Sequence, residues 1–436
     1  MSASKPSAGI SEALSACREP FSPGIHGGHY HATGRVPQRH GLLRVSPARL
    51  GLLATLVLAY QAKAHASPLD TVQVHGFLSQ ALVITDDNNM FGDSSDSGGS
   101  WDYTELGINA SIRPTENLLL AAQALSRRAG GIDNGSIELD YGIADWQLLS
   151  NTERTFGVQL GRFKNPFGFY NQTRDVAFTR PSILLPQSIY FDRTRSLGLS
   201  ADGLKLYHEE RINDGVIHTQ LGVGQAQVDD DVEEVLGLDV LPGSFDADTS
   251  LVGQVRYEHD GGRMVFALSA ASVKADYDSP GAFPGDGKLD FQPWIFSAQY
   301  NAEQWSLTAE YALRDVELAG FNAFEDNKNQ GESWYVQYRR RFLDDWRWLI
   351  RYDSLVNDRD DRNGNDYERE GRGPSYSQYA NDWTFGLQWQ PHSRVMLAGE
   401  YHHVDGTAWL PVQDNPDPRD TERSWDMWLF QLSLRF

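Results

Sequence analysis

The sequence predicts an all-β chain: a transmembrane antiparallel β-barrel of about sixteen strands, with its third outer loop folded inward. Three observations lead there. An export-type leader is followed by no second apolar run long enough for a helix. Sixteen segments alternate apolar and polar residues. The connections between those segments are alternately short and long. A strand that spans a bilayer needs about 9–11 residues, with apolar side chains on the lipid face and polar ones on the lumen face.

Composition agrees with many strands and turns. Of 436 residues, 40% are hydrophobic, which is low for a helical membrane protein. Aromatic residues reach 11%, and there are 40 glycines. Aspartate and glutamate number 59 against 38 lysines and arginines. That balance excludes nucleic acid as a partner, because binding phosphate needs a basic face. Cys17 is the only cysteine, so the chain forms no internal disulfide and no cysteine metal site.

The leader comes first. Arg44 and Arg49 precede the apolar run 50–60, and Ala64-His65-Ala66 supplies a small-residue cleavage site. A basic start, a short apolar core and a small-residue exit describe a secretory signal peptide. The run is too short for a spanning helix of about 20 residues. The first 40 residues or so are rich in Gly, Pro, Ser and His, as expected of a long basic region or of a start codon placed too early. Cleavage would remove His26, His29 and His31. The expected division is 1–66 for the extension and signal peptide, and 67–436 for the barrel.

The strands follow. The last is the clearest: Trp428, Phe430, Leu432, Leu434 and Phe436 share one face, while Leu429, Gln431, Ser433 and Arg435 share the other. Trp305, Leu307, Ala309, Tyr311 and Leu313 alternate with Ser306, Thr308, Glu310 and Ala312. Trp294, Phe296, Ala298 and Tyr300 alternate with Ile295, Ser297, Gln299 and Asn301. Rings gather at the ends of these stripes, as an aromatic girdle requires. Sixteen segments are expected near 71–85, 102–112, 118–127, 136–149, 155–163, 196–208, 215–226, 248–259, 263–275, 289–301, 304–315, 331–342, 346–357, 382–390, 393–404 and 424–436. Connections after the even segments are short (113–117, 150–154, 209–214, 260–262, 302–303, 343–345 and 391–392). Those after the odd ones are mostly long, which places short turns at one rim and long loops at the other.

The longest connection, 164–195, mixes Phe167, Phe169, Tyr170, Ile183, Leu184, Leu185 and Tyr190 with Lys164, Arg174, Arg180, Arg193 and Arg195. A loop so long and so apolar should not sit in water. Folded into the lumen, it would bury its rings on the wall and present its basic groups to the pore. A second basic feature is a ladder: Arg339 and Arg341 share a face with Gln337, and Arg347 and Arg351 continue it across the turn at 343–345. Rings of arginine select anions in pores. The plainer account, in which these arginines pair with lumen carboxylates such as Glu310, Asp353 or Glu400, is the stronger one for the ladder. The two accounts balance for the loop. Arg340 falls on the lipid stripe and would snorkel to the interface.

The stretch Gly161-Arg-Phe-Lys-Asn-Pro-Phe-Gly168, with Arg174-Asp175, Arg180-Pro181 and Leu-Pro-Gln at 185–187, resembles a segment of the Gram-negative outer-membrane porins. The terminal strand ending in Phe436 resembles the C-terminal signature of outer-membrane barrels. The topological likeness covers all of 67–436; the loop likeness covers about 35 residues. It implies a cell outer-membrane location and passive diffusion of small hydrophilic solutes or ions. The constriction would be built by Lys164, Arg174, Arg180, Arg193 and Arg195. Lumen-wall charges would be Glu310, Arg339, Arg341, Arg347, Arg351 and Glu400. It also implies a homotrimer set in lipid and lipopolysaccharide, with no cofactor and no metal.

Other readings were weighed. The outer loops are acidic at Asp86-Asp87, Asp229-Asp230-Asp231 and 358–370, which suits solvated loops, divalent bridges to lipopolysaccharide, or an adhesin or phage receptor. Asp361-x-Asn363-Gly364 to Glu370 partly matches a calcium loop, but Arg359 stands at its first ligand position. No G-x-S-x-G, P-loop, H-E-x-x-H or paired-Cys motif is present. His208 beside Glu209, and His402-His403 near Asp405, are the candidate bases for a hydrolase; no partnered serine is evident, so no catalytic residue is assigned. A TonB-type transporter is excluded by length.

Overall fold

The terminal strands meet. In the computed structural model, which describes residues 71–436 except 229, 324 and 325, the first strand pairs antiparallel with the last from Phe77↔Arg435 to Thr85↔Met427, and the sheet closes. The leader expected over 1–66 lies outside the described residues. The wall strands are β1 (Gln73–Thr85), β2 (Ser100–Thr115), β3 (Leu118–Ala129), β4 (Asp133–Ser150), β5 (Arg154–Lys164), β6 (Ser200–Ile212) and β7 (Gly215–Ala226). After a short extra strand, β8 (Ser244–Ala247), the wall continues with β9 (Thr249–His259), β10 (Met264–Asp278), β11 (Gly287–Asn301), β12 (Trp305–Ala319) and β13 (Asn327–Leu343). It ends with β14 (Trp346–Val356), β15 (Tyr379–His392), β16 (Val395–Gly406) and β17 (Ser424–Arg435). Every wall strand pairs antiparallel with its chain neighbours, giving a closed barrel of sixteen strands. Closure leaves no unpaired edge for lipid to meet.

All sixteen expected segments are strands. Two differences are local. β6 starts at Ser200, not 196, because Arg195–Leu199 forms a short helix (α1) at the end of the long loop. β8 had no sequence signal: its four residues pair only with the outer end of β10, from Ala275↔Ala247 to Asp278↔Ser244. The connection 130–132 is short although it lies on the long-loop rim. Gly130 takes φ +55 there, and the amide of Ile132 bonds to the carbonyl of Ala129 at 3.0 Å.

The alternation sorts side chains as the pattern requires. Phe430, Leu432 and Leu434 are exposed on the outside of β17, while Leu429, Gln431 and Ser433 are buried inside. Outward rings form chains across strands. Tyr300, Trp305, Tyr338 and Trp348 follow one another at 5.3, 5.7 and 5.3 Å beside the short turns. Trp334, Tyr352 and Trp383 make a second row farther out, at 5.4 and 4.8 Å. The terminal residue locks the seam: Gly76 and Phe436 exchange backbone hydrogen bonds of 3.2 and 3.0 Å. The Phe436 ring lies so close over Gly76 that a Cβ there would meet it at 2.4 Å. No helix among the described residues is long and apolar enough to cross a membrane.

Candidate functional site

The loop from residue 165 to 199 leaves β5, crosses the lumen and returns to β6. Residues 181–190 are all buried. Its apolar residues dock on inward wall positions, which is why the chain can keep so apolar a loop. Ile183 and Leu184 pack in a core with Leu355, Ala380, Ala398 and Leu429 of β14 to β17. Leu185, Ile189 and Tyr190 pack with Ile295, Ala312 and Tyr335 of β11 to β13.

Carboxylates on the wall hold the loop from several sides. On β2, Glu105 takes a two-pronged bond from Arg180, at 3.0 and 2.6 Å. On β4, Asp140 accepts from Lys164, whose amino group also reaches Asp175. On β12, Glu310 accepts from the Tyr190 hydroxyl at 2.6 Å, the Tyr335 hydroxyl at 2.8 Å and the Phe169 amide at 3.0 Å. On β16, Glu400 accepts from the amides of Ile183 and Leu184, the latter at 3.2 Å. From β14, Arg351 donates to the Ser182 hydroxyl at 3.0 Å and the Leu184 carbonyl at 3.2 Å. Charge-assisted bonds of this kind, made in a dry setting, are the strong ones.

The loop is also tied to itself. Arg174 reaches the carbonyls of Tyr190 and Phe191 at 3.2 Å and Asp192 at 3.3 Å. Asp192 is held in addition by Arg127 of β3 at 2.8 Å and by Gln187 at 2.8 Å. Arg195 pairs with Asp175. Burial pushes the Tyr170 hydroxyl up to about 12 and raises that of Tyr190 well above its ordinary value, so both stay protonated.

The expected constriction residues mostly sit as the pairing account, one of the two given for the loop, would have them. Lys164, Arg174, Arg180 and Arg195 are buried in ion pairs, not turned to open water. Arg193 alone of the five is partly exposed. The loop's more accessible face is Phe169, Gln172, Thr173, Val176, Phe178 and Thr179, which carries no charge. The expected ladder divides. Arg351 joins the loop anchor; Arg339 and Arg347 stay below it, bonded to Gln388 at 2.7 Å and Gln390 at 3.2 Å. Arg341 sits exposed at the rim, 3.4 Å from the Glu303 carbonyl. Only Arg351 approaches one of the carboxylates expected to pair with the ladder, Asp353 at 3.7 Å. Glu310 and Glu400 hold the loop instead. Glu105, Arg127, Asp140 and Asp192 escaped notice because an inward charge looks the same in sequence whether water or a loop lies over it.

Around the loop the wall is dry. Ser79, Glu105, Asp140, Gln254, Ser269, Glu310, Tyr335, Arg351, Thr384 and Glu400 are each no more than 6% exposed. The loop thus divides the interior. On the long-loop side is a vestibule of about 2300 Å³, lined by outer-loop residues including Glu234, Asp239, Asp358, Tyr367, Arg372 and Arg419. On the short-turn side is a space of about 650 Å³, lined by Asp145, Gln159, Gln172, Lys205, Tyr207, His218 and Gln220.

The solved structures then place the fold. An anion-selective porin from Comamonas acidovorans matches at TM-score 0.52 and 13% identity, over 84% of this chain and 99% of that one. The outer membrane channel DcaP of Acinetobacter baumannii matches at TM-score 0.52 and 13% identity, over 84% and 97%. The fold is that of the outer-membrane porins. Salmonella typhi OmpF matches the porin-like barrel at TM-score 0.50 and 12% identity, over 84% and 97%. No family model and no curated protein matches the chain. The chain is a porin-like, multi-pass outer-membrane barrel.

The candidate bases look structural in this porin-like barrel. His402 is buried, with Asp382 at 2.8 Å and Glu400 at 3.4 Å, and the hydroxyl it touches is that of Thr384, itself bonded to Asp382. His403 pairs with Asp426 at 2.7 Å, and the His208 ring lies beside Phe156. Asp361 of the partial calcium motif accepts instead from the amides of Asp366 and Tyr367, at 3.0 and 2.9 Å, and so starts the short helix Asn365–Arg369 (α2). Among the described residues no cluster of three or more His, Cys, Asp or Glu is arranged to hold a metal.

Proposed function

We propose that this barrel passes small hydrophilic solutes across the outer membrane by passive diffusion, with the loop over 164–199 setting the size limit. One observation carries this reading: a loop anchored to the wall by buried polar bonds stands between two vestibules inside a closed barrel. Such a partition has no obvious role unless something passes it. Anchors made of bonds, not of backbone continuity, allow the loop to define a narrow passage and to shift at it. On this reading the five basic residues of the sequence act through loop position more than through direct contact with solute, and 1–66 is removed on export.

The same reading includes a homotrimer. The outward ring contacts crowd onto β11 to β17, whereas β2 to β4 turn out Leu106, Ile108, Ala110, Leu120, Ala122 and Ala144. Trp101 and Trp146 also stand exposed on β2 and β4, and the aliphatic patch on these strands suits packing against another copy. No observation favours catalysis.

The test is liposome swelling. Proteoliposomes holding the folded protein should swell in small sugars and amino acids, with rates that fall steeply as solute size rises. Swelling no faster than empty liposomes for every solute would refute the proposal.

A further inference from the structure

Seven cations cluster at the loop: Arg127, Lys164, Arg174, Arg180, Arg193, Arg195 and Arg314. Five carboxylates stand among them: Glu105, Asp133, Asp140, Asp175 and Asp192. Each of Arg127, Lys164, Arg174, Arg180 and Arg195 is paired with at least one. Arg193 and Arg314 make no ion pair among the described residues. Arg193 is half-buried and Arg314 is buried. A buried guanidinium without a counter-ion is costly unless an anion joins it.

Arg314 is 8% exposed on the inner face of β12. Its guanidinium stacks on Phe191 at 4.7 Å and gives one bond to the Val356 carbonyl at 3.2 Å; its Nε has no partner. It lines a narrow cleft of about 520 Å³ between the loop and the β11–β12 wall. The buried Ser188 hydroxyl lines the same cleft and also lacks a partner. Arg174 and Arg195, already paired with Asp192 and Asp175, also line it, and the rest is mostly apolar, with Ile189, Phe291, Ile295 and Ala312. A guanidinium and a free hydroxyl over an apolar wall fit a ligand with one charged end and a greasy body.

We propose that this cleft binds a small organic carboxylate, its head on Arg314 and the Ser188 hydroxyl and its alkyl part against Ile295, Ala312 and Phe291. The inference concerns occupancy and stands whether or not the barrel conducts.

The test is calorimetric titration of the detergent-folded full barrel with sodium propionate, beside sodium chloride and sodium phosphate at matched ionic strength. Saturable binding of propionate, at one per chain, is expected. It should weaken by about tenfold or more in Arg314→Gln and by about fivefold in Ser188→Ala, the scales of a lost charge-assisted bond and a lost neutral one. Folding of each variant is read from heat-modifiable migration on a gel. Should Arg314→Gln not fold, Ser188→Ala, which removes one hydroxyl, decides alone. No saturable propionate binding, or affinity unchanged in the folded variants, overturns the proposal. Chloride or phosphate binding as tightly as propionate also overturns it, because the apolar half of the site would then do nothing.

Discussion

At the scale of the residue, the account depends on pairs such as Arg180 and Glu105, joined by a fork with both side chains buried. Removing one partner strands the other in a dry place, at a cost of about 3–5 kcal/mol. Glu105→Gln should therefore release this part of the loop. Trypsin should then cut after Arg174 about a hundredfold faster than in wild-type protein, if cleavage tracks the opened population; Arg180, followed by Pro181, is not a trypsin site. The double variant Glu105→Gln with Arg180→Gln should be cut more slowly than the single one, because no bare charge remains. Equal rates in wild type and Glu105→Gln would show that the fork does not hold the loop. Legibility at this scale was poor. The loop's basic residues and its rings stood out in sequence, but the carboxylate partners of their side chains lie anywhere from 11 to 120 positions away, and those on the wall differ in no visible way from wetted lumen residues.

At the scale of the element, the sequence was far more informative. A spanning strand must satisfy lipid on one face and polar surroundings on the other, so its period of two survives in the residues. β12, β15 and β17 are legible from their rings alone. β8 was not, since four residues resting on an outer loop meet neither constraint, and the start of β6 was lost to the helical turn at α1. The facing itself can be tested on β11. Phe296, exposed on its outside, should cost about 2–4 kcal/mol when replaced by Arg, the value for a charge on the lipid face at mid-membrane. Gln299→Arg, on the inner face, should stay within about 1 kcal/mol. Denaturant titration of the barrel folded into lipid vesicles measures both; equal costs would mean that the faces are misassigned. On β17, Phe436→Ala should cut the yield of heat-modifiable barrel several-fold, because the ring that covers Gly76 at the seam is gone. An unchanged yield would make that contact incidental.

At the scale of the whole molecule, strand count and closure followed from alternation and from the rhythm of short and long connections. Division of the lumen into two vestibules did not, because it depends on where a loop lands after crossing the barrel. On the proposed reading solute crosses past the loop, where the buried wall residues leave little room. The most direct measurement is single-channel conductance in planar bilayers, comparing wild-type protein with a variant in which 169–191 is replaced by a short Gly-Ser linker. The account predicts small, stable steps for the wild type and several-fold larger steps for the variant, with reversal potentials in a KCl gradient that move toward zero as the charged loop is lost. A folded variant with the same conductance as the wild type, or none in either, would contradict it.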